Sequence, residues 1–292
     1  MNKLEYVIDQ ENYILGKDKN GQTYYVKDVQ NVVFPIVLEI DRVCRKNNIP
    51  YALSFGSALG IYNYGGFIPW DDDADIVFNH EDLDRLIKKK KKDLSPEYAF
   101  DCYEVDNRYN ILQPTIKVKN RFGPTMVDAN YKRLKDRIHS SDGFFVDMVA
   151  LVPMKDAKSH RRLISRSRRR LVSYFVQDFF FNHDPLKLKA KMKADEKKYA
   201  EMYKGAKYVT QTPLLPFPSQ KQNLLPEEVV YPFKEYMFNG HMLYSLNNIE
   251  AFLVQFFGKN SLKQFDGEKW VDPFPKKKRK AAHIKQFNFP AK

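Results

Sequence analysis

Residues 66–78 read Gly-Phe-Ile-Pro-Trp-Asp-Asp-Asp-Ala-Asp-Ile-Val-Phe, which puts four carboxylates into the five positions from Asp71 to Asp75 and then turns apolar. In extended backbone alternate side chains share a face. Asp73 and Asp75 therefore point one way, while Ala74, Ile76 and Phe78 point towards a core. Like charges this close disfavour one another's ionisation unless a cation lies between them, and an all-oxygen ligand set suits Mg²⁺ or Mn²⁺. The motif reads as a metal site with Asp73 and Asp75 as ligands. Taken alone it equally describes a solvated acidic turn, so the flanking sequence has to decide.

Upstream lies Tyr51-Ala52-Leu53-Ser54-Phe55-Gly56-Ser57-Ala58-Leu59-Gly60, an apolar strand that ends in a Gly-Ser step and opens a short helix. Backbone N–H groups and a hydroxyl at such a step hold phosphate, which makes Gly56 and Ser57 candidate substrate-binding residues. A strand, a Gly-Ser turn and an Asp-x-Asp strand together describe a nucleotidyltransferase-type phosphoryl-transfer core. Downstream, Gly143 to Pro153 is an apolar strand with one carboxylate, Asp147, inside it. An unpaired carboxylate there costs several kcal/mol unless a cation or donor meets it, so Asp147 is the third expected ligand. Pro114 to Lys119 alternates like a strand, with Lys117 and Lys119 on one face, and Lys117 is placed to reach a phosphate.

The chain has 292 residues, 43% hydrophobic and 14% aromatic, enough for one large domain or two modest ones. Its formal charge of +13 points to an anionic partner. Cys44 and Cys102 lack metal-ligand spacing, which argues against a zinc site or a disulfide framework. The N-terminal residues lack a signal-peptide core, and no stretch has the roughly 18 apolar residues of a spanning helix. The expected location is cytoplasmic, with peripheral placement at the inner membrane face as an extension of that reading.

Three regions are expected: an N-terminal arm or hairpin over 1–27, a nucleotidyltransferase-like core over 28–153, and a helical region over 154–292 that completes the site. The fold class is α+β, a mixed sheet with flanking helices and a mainly helical C-terminal half. Apolar positions from Val29 to Cys44 recur at helical spacing, with Asp28 available as a cap and Pro35 expected to kink or restart the helix. His80 to Ile87, with lysines 88–92 behind it, reads as a helix aligned with its macrodipole. Ser159 to Phe181 carries six arginines and Pro185 to Tyr203 is lysine-rich; both read as helices with solvated basic faces. Four prolines mark Gln211 to Glu228 as a loop, and Phe233 to Phe257 reads as a last compact unit.

The segment from Ser54 to Ile76 resembles the LicD family of phosphotransferases, which includes the fukutin-type proteins. Lys117 with Thr125, Phe145-Val146-Asp147, and Phe238-Asn239-Gly240 followed by Phe257-Gly258 are weaker echoes in register behind it. The resemblance implies transfer of a substituted phosphate, phosphocholine-like or a polyol phosphate, from a CDP-linked donor to a sugar hydroxyl of a glycan or lipid-linked sugar. It implies that Asp73, Asp75 and Asp147 bind the metal and act in catalysis, that Gly56 and Ser57 form the phosphate turn, and that Asp71 and Trp70 shape the loop. This chain departs from the family in having Ile61-Tyr62-Asn63-Tyr64 where a basic residue is usual, and Asn239 where Glu is common. The tail over 273–292 matches both a basic localisation signal and a family-typical C-terminus.

Two other functions fit parts of the sequence. A nucleotidyltransferase would use the same carboxylates to add a nucleoside monophosphate to RNA or a small molecule. A non-catalytic protein would bind nucleic acid or an anionic membrane through its basic helices; of these partners, nucleic acid is the less favoured.

Overall fold

The described chain opens on an antiparallel hairpin, β1 (Ile14–Lys17) with β2 (Thr23–Tyr25), which leads directly into the first helix, α1 (Val26–Lys46). The computed structural model describes residues 13–18, 20–102, 116–128, 143–181, 185–211, 223–266, 269–274, 281 and 284–289. The expected arm therefore holds a hairpin over its described part, while residues 1–12 and most of the basic tail lie outside.

Helix α1 buries Val29, Val33, Ile36, Val37, Ile40 and Val43 on one face, as the periodicity requires. Asp28 is not the first capping residue but sits one turn in, where its carboxylate accepts the Tyr25 N–H at 2.8 Å. The helix runs through Pro35 without restarting. Pro35 and Asn31, whose carbonyl loses its donor, both lie on the exposed face, so water satisfies what the missing N–H leaves open.

The next elements are β3 (Ala52–Leu53), α2 (Phe55–Tyr64), β4 (Asp75–Asn79), α3 (His80–Asp93), β5 (Tyr98–Asp101), β6 (Ile116–Asn120), β7 (Thr125–Asp128) and β8 (Phe145–Met154). Helices α4 (Ala157–Phe181) and α5 (Pro185–Met202) follow, then β9 (Tyr208–Gln211), β10 (Leu224–Pro226) and the short α6 (Glu227–Val230). The hairpin β11 (Lys234–Phe238) and β12 (His241–Ser245), helix α7 (Ile249–Phe257), and the strands β13 (Gln264–Asp266), β14 (Lys269–Val271) and β15 (Ile284–Asn288) complete the described chain.

A nine-stranded mixed sheet organises the molecule, in the order β10-β9-β8-β4-β3-β12-β11, with β6 joining β8 and β5 joining β6. Strand β8 is the hub. One edge pairs parallel with β4, and the other pairs antiparallel first with β6 and then with β9. The principal core lies where α1, α2 and α3 cover this sheet. Smaller apolar clusters under α4 and α5 involve Leu163, Leu171, Leu188, Met192 and Tyr199. Cys44 and Cys102 are buried free thiols, and burial pushes the Cys44 thiol up, away from reactivity.

Two expectations about the C-terminal half change. The stretch expected to be a loop over 211–228 contains β10 and the start of α6, with 212–222 outside the described residues. Its proline, Pro226, stands at the end of an edge strand where no ladder donor is required. Phe233 to Phe257 is not a separate unit: β12 pairs parallel with β3 at Ser245 and Leu53, and the Ser245 hydroxyl donates to the Leu53 carbonyl at 2.7 Å. Asn239 and Gly240 turn the β11–β12 hairpin with φ of 46° and 80°, as a primed two-residue turn needs.

Candidate metal and phosphate site

Sheet register lays four charged residues in a row. Asp75 of β4 lies beside Asp147 of β8, Asp147 opposite Lys117 of β6, and Lys117 opposite Asp101 of β5. Paired residues on neighbouring strands share a face, so the row is fixed by backbone hydrogen bonding rather than by loop conformation. The Lys117 ammonium meets Asp147 Oδ1 at 2.8 Å and lies 3.2 Å from the centre of the Phe145 ring. Lys119, two residues on, meets Asp101 Oδ2 at 2.6 Å with both side chains almost fully buried. The two lysines expected on one face of this strand are both interior cations held by carboxylates.

Asp73 closes the group from the loop before β4. Asp73, Asp75 and Asp147 each offer a carboxylate oxygen, and these oxygens all lie within 4.8 Å of one another. Neighbouring oxygens around Mg²⁺, at ~2.1 Å each, are about 3.0 Å apart and opposite ones about 4.2 Å, so side-chain movements on the order of 1–2 Å bring the three onto one ion. The hard, all-oxygen donor set is of the kind that suits Mg²⁺ or Mn²⁺ and offers none of the nitrogen or sulfur ligands usual at zinc and copper sites. Asp71, Asp72 and Asp73 form a second such group, so Asp73 is common to both.

The Gly-Ser turn packs directly against this acidic loop. Ser54 precedes α2, and its hydroxyl accepts the Gln211 side-chain amide at 2.7 Å. The N–H groups of the first helical turn, Phe55, Gly56 and Ser57, precede the point where intrahelical bonding begins at Ala58. Phe55 holds a left-handed φ of 47°, a conformation that costs a non-glycine residue on the order of 1 kcal/mol or more and accumulates at functional turns. Ser57 is buried, and its hydroxyl accepts the Asp75 N–H at 3.0 Å, which ties the turn to the first residue of β4.

Glycine at 56 has a steric cause. A methyl group there would lie 2.7 Å from Asp71 Oδ2, inside contact distance of a carboxylate that can swing away. Gly56→Ala is therefore expected to displace Asp71 while sparing the fold. Activity should fall by about tenfold or more, since an ångström of misplacement is costly in phosphoryl transfer, and the melting temperature should move little. A melting curve and a turnover assay on the same sample check both halves.

Of the residues that position the acidic loop, Gln30 and Asp72 were not singled out from the sequence. Gln30, buried on the core face of α1, donates its side-chain amide to the carbonyls of Ile68 at 2.9 Å and Asp71 at 3.0 Å, and so fixes the acidic loop from behind. A lone amide among the valines of an amphipathic helix was the available signal. Trp70 stacks edge-on with Tyr13, Tyr64 and Phe274 and anchors the loop's apolar side. Asp72 is almost fully buried and accepts the Ile284 N–H at 2.9 Å, so that β15 is clamped to the loop. Gly66 backs onto the Asn239 side chain, and the Asn239 N–H donates to the Gly65 carbonyl at 2.9 Å. The departure at 239 thus borders the glycines that introduce the acidic motif.

Comparisons with known proteins bear on the segment that carries the acidic loop. Residues 48–122 match the family model described as LicD/FKTN/FKRP, nucleotidyltransferase domain. An uncharacterized protein of Rickettsia prowazekii is 28% identical over 164 residues, 52% of this chain and 57% of the relative. The lipopolysaccharide cholinephosphotransferase LicD of Haemophilus influenzae is 31% identical over 62 residues, 21% of this chain and 23% of that protein. An uncharacterized protein of Rickettsia typhi is 30% identical over 79 residues, 26% of each chain. The matches thus span little more than half of one relative and about a quarter of the other two. Asp147 lies beyond the family-matched segment and joins it through β8. Residues 48–122 of this chain are thus similar to the nucleotidyltransferase domain of the LicD family.

Proposed function

We propose that this protein is a metal-dependent phosphotransferase that moves a substituted phosphate, phosphocholine-like or a polyol phosphate, from a CDP-linked donor to a sugar hydroxyl of a glycan. The observation that carries the reading is the convergence of Asp73, Asp75 and Asp147, from a loop and two adjacent strands, beside the Gly56–Ser57 turn. The name of one relative, a lipopolysaccharide cholinephosphotransferase, supports phosphocholine as the transferred group and a glycan as the acceptor class.

Asp73, Asp75 and Asp147 would hold Mg²⁺ or Mn²⁺. Bound there, the ion supplies Lewis-acid neutralisation of the phosphate charge that spreads during transfer. The chain's own groups do the rest by placement. The N–H groups at Gly56 and Ser57 face the anionic donor from the start of a helix. Lys117, held at 2.8 Å from Asp147, adds positive charge at the floor of the site. The acceptor oxygen forms a bond to the phosphorus bearing the alcohol, the bond from that phosphorus to the CMP oxygen breaks, and CMP leaves. The hydroxyl proton passes to a carboxylate of the site, for which Asp147 is the candidate.

Incubating the protein with Mg²⁺, a panel of CDP-linked alcohols and sugar acceptors should release CMP, and chelation by EDTA should stop the release. Pyrophosphate release from nucleoside triphosphates, with no CMP from any CDP-alcohol, would instead establish a nucleotidyltransferase.

A further inference from the structure

A concave pocket of about 570 Å³ lies on the outer face of α4 against α5, and nothing in the phosphotransferase reading uses it. It is lined by Lys158, Arg161, Arg162, Ser165, Arg166 and Arg169 of α4, with Tyr199 of α5 as its far wall. Arg166 is 3.3 Å from Asp195, and among the described residues no carboxylate pairs with Lys158, Arg161, Arg162 or Arg169. So many cations around one concavity repel one another unless an anion joins them.

The same helix face continues as exposed aliphatic surface. At about 3.6 residues per turn, Val172 and Val176 fall within the arc already occupied by Lys158, Arg161, Ser165 and Arg169. Both valines are more than half exposed, at 57% and 53%. A basic, concave patch prolonged along one helix by aliphatic side chains meets the requirements of the lipid headgroup boundary: arginines at phosphate depth and apolar groups just below. A single-stranded nucleic-acid surface would interleave exposed aromatic rings for stacking, and neither a duplex phosphate backbone nor a small soluble anion would gain from exposed valines.

The patch is also remote from the carboxylates. Helix α4 begins beyond the end of β8 opposite Asp147, and the seven residue-to-residue steps from Asp147 to Met154 span about 23 Å of strand. It is therefore not an extension of the donor site.

We propose that the α4 face of the 158–176 segment binds anionic phospholipid, with the arginine pocket receiving headgroup phosphate and Val172 and Val176 entering the acyl boundary. This holds whether or not the catalytic reading does, because the two surfaces share no residue.

The test is sedimentation of the full chain with vesicles of phosphatidylcholine alone or mixed with phosphatidylglycerol, at low and high salt. Binding is expected only to the mixed vesicles and should weaken as salt rises. Each arginine removed should weaken it about fivefold, so Arg161→Gln/Arg162→Gln should lose about 25-fold. Val172→Ser/Val176→Ser should lose about tenfold with charge unchanged. All four positions are exposed, and unchanged melting curves will show that the variants fold. Equal binding to neutral vesicles, or full affinity in the valine variant, overturns the proposal. So does displacement of the protein from mixed vesicles by pyrophosphate or RNA with the valine variant unaffected, which would make the pocket a site for soluble anions or nucleic acid.

Discussion

Replacing Asp75 by asparagine, or Asp73 by alanine, should reduce CMP release from a CDP-linked donor by about 10³-fold or more, the scale at which one preorganised electrostatic contact to a transition state is lost. The fold should persist. Asp75 lies at the start of β4, and its backbone, which donates to Ser57 and accepts from Ser54, is untouched by the change. In EDTA these variants should melt no lower than the parent, and even slightly higher, because removing one of three crowded carboxylates relieves repulsion among oxygens held within 4.8 Å. Full activity in either variant would dismiss the carboxylates as the catalytic centre. A collapse in melting temperature would instead assign them a structural duty.

Lys119→Met should be the most damaging single change to stability away from the acids. The Lys119 and Asp101 side chains are 1% and 4% exposed and meet at 2.6 Å. Truncating one partner breaks this buried ion pair, a change that typically costs about 3–5 kcal/mol. That is a large share of a domain's ~5–15 kcal/mol and corresponds to a drop in melting temperature on the order of 10 °C. Lys119→Met combined with Asp101→Leu should recover most of the loss, since an apolar pair of similar volume replaces a buried ion pair at little net cost. Denaturant unfolding of the two variants and the parent measures the coupling. A single variant within 1 kcal/mol of the parent would show that the pair is dispensable.

The parts of this molecule that declare themselves in sequence are those where local chemistry and local structure agree. Asp73 and Asp75 alternate with core residues, and the Gly56–Ser57 step is the kind of turn that backbone sterics demand. Both needs are met within a few residues, so both are legible. Lys117 and Lys119 are the contrary case. Alternating lysines resemble a wet face, and only the register of β6 against β8 and β5 brings them to Asp147 and Asp101. Pro35 misleads for a related reason, because its effect depends on whether the orphaned carbonyl meets water, and that is a property of the folded surface. Gln30 and Asp72 act on loop atoms 38 or more positions away along the chain, at Ile68, Asp71 and Ile284. No periodicity records such pairings. Asn239 stood out in sequence only as a departure from the family pattern, and its approach to Gly65 and Gly66 needed the parallel pairing of β12 with β3.

The side-by-side placement of Asp75 and Asp147 on parallel strands also limits how a chain of this type can vary in length. Insertions or deletions in the connections between the end of β4 and the start of β8 leave the two carboxylates where the ladder puts them. One residue gained inside β8, between Phe145 and Asp147, would turn the Asp147 side chain to the opposite face of the sheet.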